Sequence, residues 1–337
     1  MSRYEPVESP DETTIFPYHS LTPPTTDEIY RARQIVRQHL PRTPLVRSDA
    51  LSARYDAEVY LKREETLPTG AFKVRGGVTL AASLDDEFQN QGLIAASTGN
   101  HGQSVAYAGR EVGIPVTIAV PEDANPSKIV AMERLGATVE QRGADFDAAR
   151  EWAEEQAIET GARYVHSANE PKLVAGVATA GLEVVEDLPE VDLLATPVGG
   201  GSSASGYCLT VGELGGAEVI GVQTEAAPAV YEAWQNDHLD SHERMETFAE
   251  GMATRVPFAL TTRILRDRLD DFLLVSDDDL RDAAGRLLDE ERIVAEGAAV
   301  AGLAGLEAMK DELAGKTVVA PLTGRNVSDD TLASFLE

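Results

Sequence analysis

Residues 193–206 read LLATPVGGGSSASG, an apolar run followed by three glycines and a segment of small residues. The apolar run, 193–197, is typical of a buried strand, and the glycines predict a turn that leads into a helix. Thr25 and Glu28 have the spacing of a capping box and predict a further helix. The other predicted strands are 57–61, 93–96, 116–120, 137–141, 218–223, 272–275 and 318–321. Strands that alternate with helices predict an α/β protein with largely parallel sheets, whose ligands bind at the carboxyl ends of the strands.

The order of these segments predicts an arm and two domains. Residues 1–24 contain five prolines and are interpreted as an irregular N-terminal arm. Residues 89–168 hold enough strand–helix units for a sheet of their own, so we predict a small inserted α/β domain there. The remaining residues, 25–88 and 169–337, form the predicted large domain.

The composition excludes several classes of protein. A chain of 337 residues, 43% of them hydrophobic, is long and apolar enough to bury a core and to form about two domains. The 29 basic residues against 57 acidic ones give a formal net charge of -28, which repels nucleic acids and anionic membranes. The apolar stretch 293–306 contains Glu296 and is too short to span a bilayer.

The cysteine content, the first residues and the excess of acidic residues predict where the protein works. Cys208 is the single cysteine, and the first residues have neither the basic start nor the apolar run of a secretory signal, so we expect a cytoplasmic protein. A large excess of carboxylates favours a cytosol at high salt, where repulsion between them is screened, and we therefore expect a halophilic protein. The lysines are only Lys62, Lys73, Lys128, Lys172, Lys310 and Lys316.

The glycine turn after residue 197 is the first candidate binding site. Backbone N–H groups of Gly199, Gly200 and Gly201 can converge on an anion, and the start of the following helix adds positive potential. This favours a phosphate site. A turn required only for backbone geometry stays open, and so does a dinucleotide site, because an acidic residue, Glu225, follows the next strand.

Two further segments combine reactive or polar groups with a strand–helix junction. Residues 68–77, PTGAFKVRGG, place Lys73 after an aromatic residue, where desolvation can lower its pKa and make the amine nucleophilic. Residues 97–103, STGNHGQ, place hydroxyls, an amide and backbone N–H groups at the start of a helix, which suits a carboxylate. Taken one at a time, a solvated lysine and an ordinary helix cap explain the two segments as well.

Considered together, the segments resemble a known family. The sequence is similar to the pyridoxal-phosphate-dependent enzymes of the tryptophan-synthase-β fold (fold type II), in the branch of serine and threonine dehydratases, with serine racemase as a close relative. The motifs that carry the resemblance are 68–77, 97–103, the glycine loop 199–203, EGA at 296–298 and TGRN at 323–326. The resemblance implies two open twisted α/β domains with pyridoxal 5'-phosphate between them, the large domain binding the cofactor.

The resemblance also implies roles for individual residues. Lys73 would form the Schiff base with the cofactor and take the Cα proton as general base. The loop 199–203 would hold the phosphate, and Thr323 would face the pyridine nitrogen. The implied cofactor-binding residues are Phe72, Lys73, Asn100, Gly199, Gly200, Gly201, Ser202, Ser203, Glu296 and Thr323. The implied substrate-binding residues are Ser97, Thr98, Asn100 and His101, and the implied catalytic residues are Lys73 and Thr98.

The implied reaction is β-elimination from L-threonine or L-serine, which yields 2-oxobutyrate or pyruvate and ammonia. His101 favours this reaction over β-replacement, because relatives that perform replacement usually have threonine at that position. Gln223 and Ala229 occupy positions where racemases and some dehydratases place carboxylates for a divalent cation, so no metal is predicted.

Two alternatives stay open. A serine or aspartate racemase of the same fold needs an acid on the face opposite Lys73, where racemases have serine and this chain has Thr98. An NAD-dependent oxidoreductase would use Gly199, Gly201 and Glu225. For either enzyme of the resembling family we expect a small amino-acid substrate and a homodimer or homotetramer, with no nucleic-acid or membrane partner.

Overall fold

A computed structural model of the protein describes residues 7–8, 14–15, 21–236, 239–242 and 245–335. The predicted arm, 1–24, therefore lies mostly outside the described residues. The described parts of the arm include two short strands that pair antiparallel, with Val7 opposite Ile15.

The strands of the described chain are β1 Val7–Glu8, β2 Thr14–Ile15, β3 Leu45–Arg47, β4 Glu58–Lys62, β5 Leu93–Ala96, β6 Val116–Val120, β7 Thr138–Gln141, β8 Arg163–Tyr164, β9 Leu193–Pro197, β10 Glu218–Thr224, β11 Asp271–Val275 and β12 Thr317–Pro321. The eight predicted strands all form, with ends that differ by at most one residue. The other four strands have two or three residues each, too few to show an apolar run or a clear alternation.

The α-helices of the described chain are α1 Thr26–His39, α2 Asp49–Tyr55, α3 Val74–Ala82, α4 Asp86–Gln91, α5 Asn100–Val112, α6 Pro126–Arg134, α7 Phe146–Thr160, α8 Pro171–Asp187, α9 Ser202–Tyr207, α10 Ala229–Asn236, α11 Ala259–Arg268, α12 Asp277–Glu291, α13 Ala301–Ala308 and α14 Asp329–Ser334. The capping box of α1 forms as predicted, with the side chain of each partner accepting the other's backbone N–H. Within the described residues, no helix combines the length and the apolar character needed to cross a bilayer.

One compact unit comprises Pro41–Phe72 and Val177–Glu337. Its sheet has six strands in the order β11-β10-β9-β12-β4-β3, all parallel except β3, which runs antiparallel to β4. Residues of β9, β12 and α13 contribute to its apolar core, among them Leu193, Val318 and Leu303. Parallel strands place their carboxyl ends at one edge, and the turns after β9 and β12 start there.

The second compact unit comprises the described residues up to Leu40 and Lys73–Gly176. Its sheet has four parallel strands in the order β7-β6-β5-β8. Ala149, Ala153 and Ala157 recur every four residues on one face of α7 and pack into the apolar cluster around β5. These small side chains allow the helix to approach the sheet closely.

The units differ from the predicted domains in the assignment of α1, α3 and the start of α8. Residues 25–40, 73–88 and 169–176 were assigned by sequence to the large domain, whereas in the structure they cluster with the four-stranded sheet. The reason lies in the packing of α3 against α5: a Cβ on Gly77 would stand 2.4 Å from Ser104 Oγ, so only glycine permits this approach. Such a contact, between residues 27 positions apart, has no signature in the local hydrophobic pattern.

Candidate active site

Lys73 lies directly before α3, at the position that caps the helix. Its Nζ donates a hydrogen bond to the carbonyl oxygen of Ser167 at 3.3 Å, and its own carbonyl accepts one from Ser104 Oγ at 2.7 Å. Burial disfavours the charged ammonium and lowers the pKa of Lys73 to about 8. The lysine is therefore not an ordinary solvated one, and a substantial share of its amine is neutral near pH 8.

The turn between β5 and α5 contains the predicted carboxylate-binding residues. Gly99 caps α5, and no side chain of this turn caps the helix, so the ordinary serine or threonine cap is not what the structure shows. Ser97 Oγ instead accepts a hydrogen bond from the N–H of Gly99 at 3.2 Å. In the described part of the chain the Thr98 hydroxyl has no hydrogen-bond partner. The first N–H groups of a 13-residue helix remain directed at this turn, which suits an anionic group.

His101 is buried in the first turn of α5. Its Nε2 lies 2.9 Å from the carbonyl oxygen of Val165, and because a carbonyl only accepts, Nε2 carries the hydrogen and Nδ1 is an acceptor. Desolvation, and then the positive charge of Lys73, lower the pKa of His101 to about 4, while the hydrogen bond to Val165 opposes that shift. The imidazole is therefore neutral at physiological pH, and its Nε2 is already committed to the backbone.

The segment after β8 contains a histidine, His166, that the sequence analysis did not single out. His166 Nδ1 accepts the N–H groups of Ala168 at 3.1 Å and Asn169 at 3.0 Å, so its hydrogen lies on Nε2. Desolvation, and then the repulsion by His101, lower the pKa of His166 to about 3. The turn that His166 holds presents the Ser167 carbonyl to Lys73. The available signal was a polar run after a strand, but β8 has only two residues and was not predicted.

In the six-stranded unit, the glycine loop follows β9 and leads into α9 as predicted. Gly201 caps α9 with a φ of 83°, in the left-handed region where glycine is favoured. A Cβ on Gly199 would stand 2.1 Å from the carbonyl oxygen of Gly251, so a side chain there would displace the loop. Among the described residues, the backbone N–H groups of 199–201 have no acceptor. This cradle of N–H groups, with the buried Ser203 beside it, fits an anion.

The turn after β12 joins three further predicted residues. The N–H of Phe72 donates to the carbonyl oxygen of Thr323 at 2.9 Å. Glu296 supports the same turn, because its N–H donates to the Gly324 carbonyl at 3.0 Å and its Oε2 accepts the N–H of Asn326 at 3.1 Å. A Cβ on Gly324 would lie 2.7 Å from Glu296 Oε1. Glu296 thus acts at least as a support for the turn that positions Thr323.

Within the described ranges, no group of three or more His, Cys, Asp or Glu side chains is arranged to hold a metal ion. At Gln223 the side-chain Oε1 accepts the N–H of Tyr231 at 2.9 Å. Tyr231 belongs to α10, so this oxygen joins β10 to that helix, while Nε2 of Gln223 has no hydrogen-bond partner in the described part of the chain.

Known proteins match this protein over most of its chain. The sequence model of a family described as pyridoxal-phosphate dependent enzyme matches residues 36–324. L-threonine ammonia-lyase of Thermotoga maritima is 38% identical over 304 residues, which cover 90% of this chain and 76% of that protein. The processed form of threonine deaminase isoform 2 from Solanum lycopersicum superposes with a TM-score of 0.88 at 27% identity, covering 93% of this chain and 89% of the other. Serine racemase of maize gives the same TM-score at 26% identity, covering 93% and 96%. The predicted fold is confirmed.

Proposed function

The chain belongs to the family of pyridoxal-phosphate dependent enzymes, and on that premise we propose that it is an ammonia-lyase acting on L-threonine or L-serine. The products would be 2-oxobutyrate or pyruvate, together with ammonia. The observation that carries the proposal is the desolvated amine of Lys73, with a pKa lowered to about 8, at the position that the sequence resemblance implies for the cofactor lysine. Pyridoxal phosphate, rather than the dinucleotide of the alternative, is the cofactor of this family.

The residues fit this cofactor by their own chemistry. Aldehyde chemistry needs a neutral primary amine, which Lys73 supplies. A phosphate needs converging donors and space close to the backbone, which the three glycines of the loop, 199–201, supply. We propose that Lys73 carries the cofactor, that 199–203 holds its phosphate, and that Phe72, Asn100 and Thr323 contact its ring. When bound, pyridoxal phosphate supplies an electron-withdrawing ring that stabilises negative charge at the substrate Cα.

Lys73 is the proposed general base. Its low pKa allows the neutral amine to accept the Cα proton near neutral pH, where an ordinary lysine would be almost fully charged. The Ser167 carbonyl, 3.3 Å from Nζ, gives the amine a fixed hydrogen-bond acceptor and so restricts where its nitrogen points. The neutral His101 and His166 add no positive charge that would compete with it for protons.

The turn from Ser97 to His101 is the proposed site of the substrate carboxylate. The start of α5 supplies N–H donors, and the hydroxyl of Thr98 adds a further one. Because Nε2 of His101 is bonded to Val165, His101 contributes mainly by holding α5 against the segment after β8. Glu296 supports the turn that carries Thr323, whose neutral hydroxyl suits a pyridine nitrogen that stays largely unprotonated.

The decisive experiment is a product assay. The purified chain is incubated with L-threonine, L-serine and D-serine, and 2-oxo acid and ammonia are measured against the Lys73→Ala variant. We expect equal amounts of 2-oxo acid and ammonia from the L-amino acids, and none from the variant. The proposal would be contradicted if Lys73→Ala still formed 2-oxo acid and ammonia, or if NAD co-purified with the chain.

A racemase is the second candidate, because serine racemase of maize has the same fold. Racemisation needs a proton donor on the face opposite Lys73, and Thr98 offers a hydroxyl without another partner among the described residues. Chiral chromatography of residual serine, for wild type, Thr98→Ser and Thr98→Ala, separates the two reactions. Interconversion of L- and D-serine that is faster than pyruvate formation, and that Thr98→Ala abolishes selectively, would replace the lyase by the racemase.

We further propose the cellular setting. The net charge of -28 supports a cytoplasmic, salt-adapted enzyme without nucleic-acid or membrane partners. A homodimer or homotetramer is the proposed assembly, to be measured by light scattering in molar and in millimolar salt.

A further inference from the structure

Thr261 on α11 contacts the glycine loop from its back. The residue is fully buried, and its hydroxyl lies 2.7 Å from the carbonyl oxygen of Gly200 and 3.3 Å from that of Phe258. A hydroxyl has one hydrogen, and the shorter distance identifies Gly200 as its main acceptor. The contact joins residues 61 positions apart, in a part of the chain to which no function has been assigned above.

This hydrogen bond determines which way a loop donor points. In a trans peptide the C=O of Gly200 and the N–H of Gly201 lie in one plane and point in opposite directions. Because Thr261 holds the Gly200 oxygen, the N–H of Gly201 is directed away from α11. If the peptide turned over, a carbonyl oxygen would replace this N–H and would repel an anion.

The loop has little other freedom. A Cβ on Gly201 would stand 3.0 Å from the Cβ of Thr261, and one on Gly199 would stand 2.1 Å from the Gly251 oxygen. The two glycines are thus in close contact with different segments, and glycine itself resists rotation of a peptide only weakly. The Thr261 hydroxyl supplies the directional restraint that the glycines lack.

We infer that Thr261 is a positioning residue that orients the Gly200–Gly201 peptide and so favours a phosphate-bearing ligand over the same ligand without phosphate. The inference rests on the proposed function, since it takes 199–203 as the phosphate site. Thr261 itself does not contact the reacting atoms. Its effect is expected in the affinity for the phosphate group and not in the reactivity of Lys73.

The test measures affinities of the full chain freed of cofactor. Pyridoxal phosphate and pyridoxal, which lacks the phosphate, are titrated into wild type, Thr261→Val, Thr261→Ser and Thr262→Val. Thr262 is the matched control, because it is the next residue of α11, is also buried, and in the described part of the chain its Oγ1 has no partner. Thermal unfolding of each cofactor-free variant gives the effect on stability separately.

Loss of one neutral hydrogen bond predicts that Thr261→Val binds pyridoxal phosphate about 3- to 10-fold more weakly than wild type. Pyridoxal affinity is expected to change less than about 2-fold, and Thr261→Ser and Thr262→Val are expected to stay within about 2-fold of wild type for both ligands. Thr261→Ala replaces Thr261→Val if the latter does not fold.

Three results would overturn the role of Thr261: unchanged affinity of Thr261→Val, equal losses for both ligands, or an equal loss in Thr262→Val. Failure of both hydroxyl-free variants to fold would also overturn it, because the hydroxyl would then serve the fold and not the phosphate. If wild type itself forms no adduct with pyridoxal phosphate at Lys73, the proposed function fails. If wild type forms that adduct, the three results named first refute only the role of Thr261 and leave the proposed function unchanged.

Discussion

The rate at which pyridoxal phosphate reacts with Lys73 in the cofactor-free chain is expected to depend on pH with a midpoint near 8. Only the neutral amine attacks an aldehyde, and burial lowers the pKa of Lys73 from 10.5 to about 8 by disfavouring the ammonium. At pH 7 about 9% of an amine with this pKa is neutral, against about 0.03% at a pKa of 10.5, a ratio of about 300. The rate should therefore fall about tenfold per pH unit below 7 and level off above 9.

The assay exposes the cofactor-free chain to limiting pyridoxal phosphate for fixed times between pH 6 and 10. Borohydride then converts the adduct into a stable amine, and digestion with mass spectrometry gives the yield at each lysine. Lys310, whose side chain is 58% exposed, is measured in the same digests as an internal reference. The Lys73 profile is expected to reach its midpoint well below that of a solvated lysine.

Two results would refute the reasoning. A midpoint at pH 10 or above for Lys73 would show that burial does not lower its pKa. Modification spread evenly over Lys73 and Lys310 at pH 7 would show that the neutral fraction of Lys73 gives it no advantage. Either result would also remove the main support for Lys73 as general base.

Three other predictions concern stability and the loop. Lys62→Met is expected to lower the free energy of unfolding by about 3–5 kcal/mol in urea titrations. Lys62 Nζ donates to Glu183 Oε2 at 2.7 Å in the core, and its loss leaves a buried carboxylate without this partner. The control Lys310→Met, at an exposed lysine, should lower the free energy of unfolding by less than about 1 kcal/mol. Gly201 and Gly216 have φ of 83° and 74°, so Gly201→Ala and Gly216→Ala should each lower the free energy of unfolding by about 1–2 kcal/mol. Only Gly201→Ala, whose new Cβ crowds Thr261, should weaken pyridoxal phosphate binding. Equal affinities of the two variants for pyridoxal phosphate would contradict this prediction. Dialysis from molar to millimolar salt should lower the melting temperature, because the screening length grows from about 3 Å to tens of ångströms around a net charge of -28. An unchanged melting temperature would show that the protein does not depend on salt to screen repulsion between its carboxylates.

Local sequence patterns were sufficient for the main elements of the fold. Strands such as β5, β6 and β9 have four or five mostly apolar residues bounded by polar or glycine turns, and they form where predicted. The capping box of α1 is likewise a contact between residues three positions apart. These features depend on interactions within a few residues, which is why one sequence reveals them.

The candidate site was predictable in part. Lys73, the 97–101 turn and the loop 199–203 combine reactive or glycine-rich residues with strand–helix junctions, and family motifs identify them. The sequence could not show that the N–H groups of 199–201 lack acceptors among the residues that the structure describes, or that burial lowers the pKa of Lys73 to about 8. Both properties depend on what surrounds a residue in space.

The residues that only the tertiary structure revealed act over long separations. His166 lies 93 positions from Lys73 and shapes the turn that meets it, Thr261 lies 61 positions from Gly200, and Lys62 lies 121 positions from Glu183. Strands β3 and β8 were not predicted, because they are too short to show an apolar run. They are defined by their pairing with β4 and β5, which depends on distant parts of the chain. The sequence by itself thus determined the α/β alternation, the glycine turns and the reactive lysine, all set by neighbouring residues. The tertiary structure decided the burial, the hydrogen-bond acceptors and the packing partners, because these arise only when distant segments come together and exclude water.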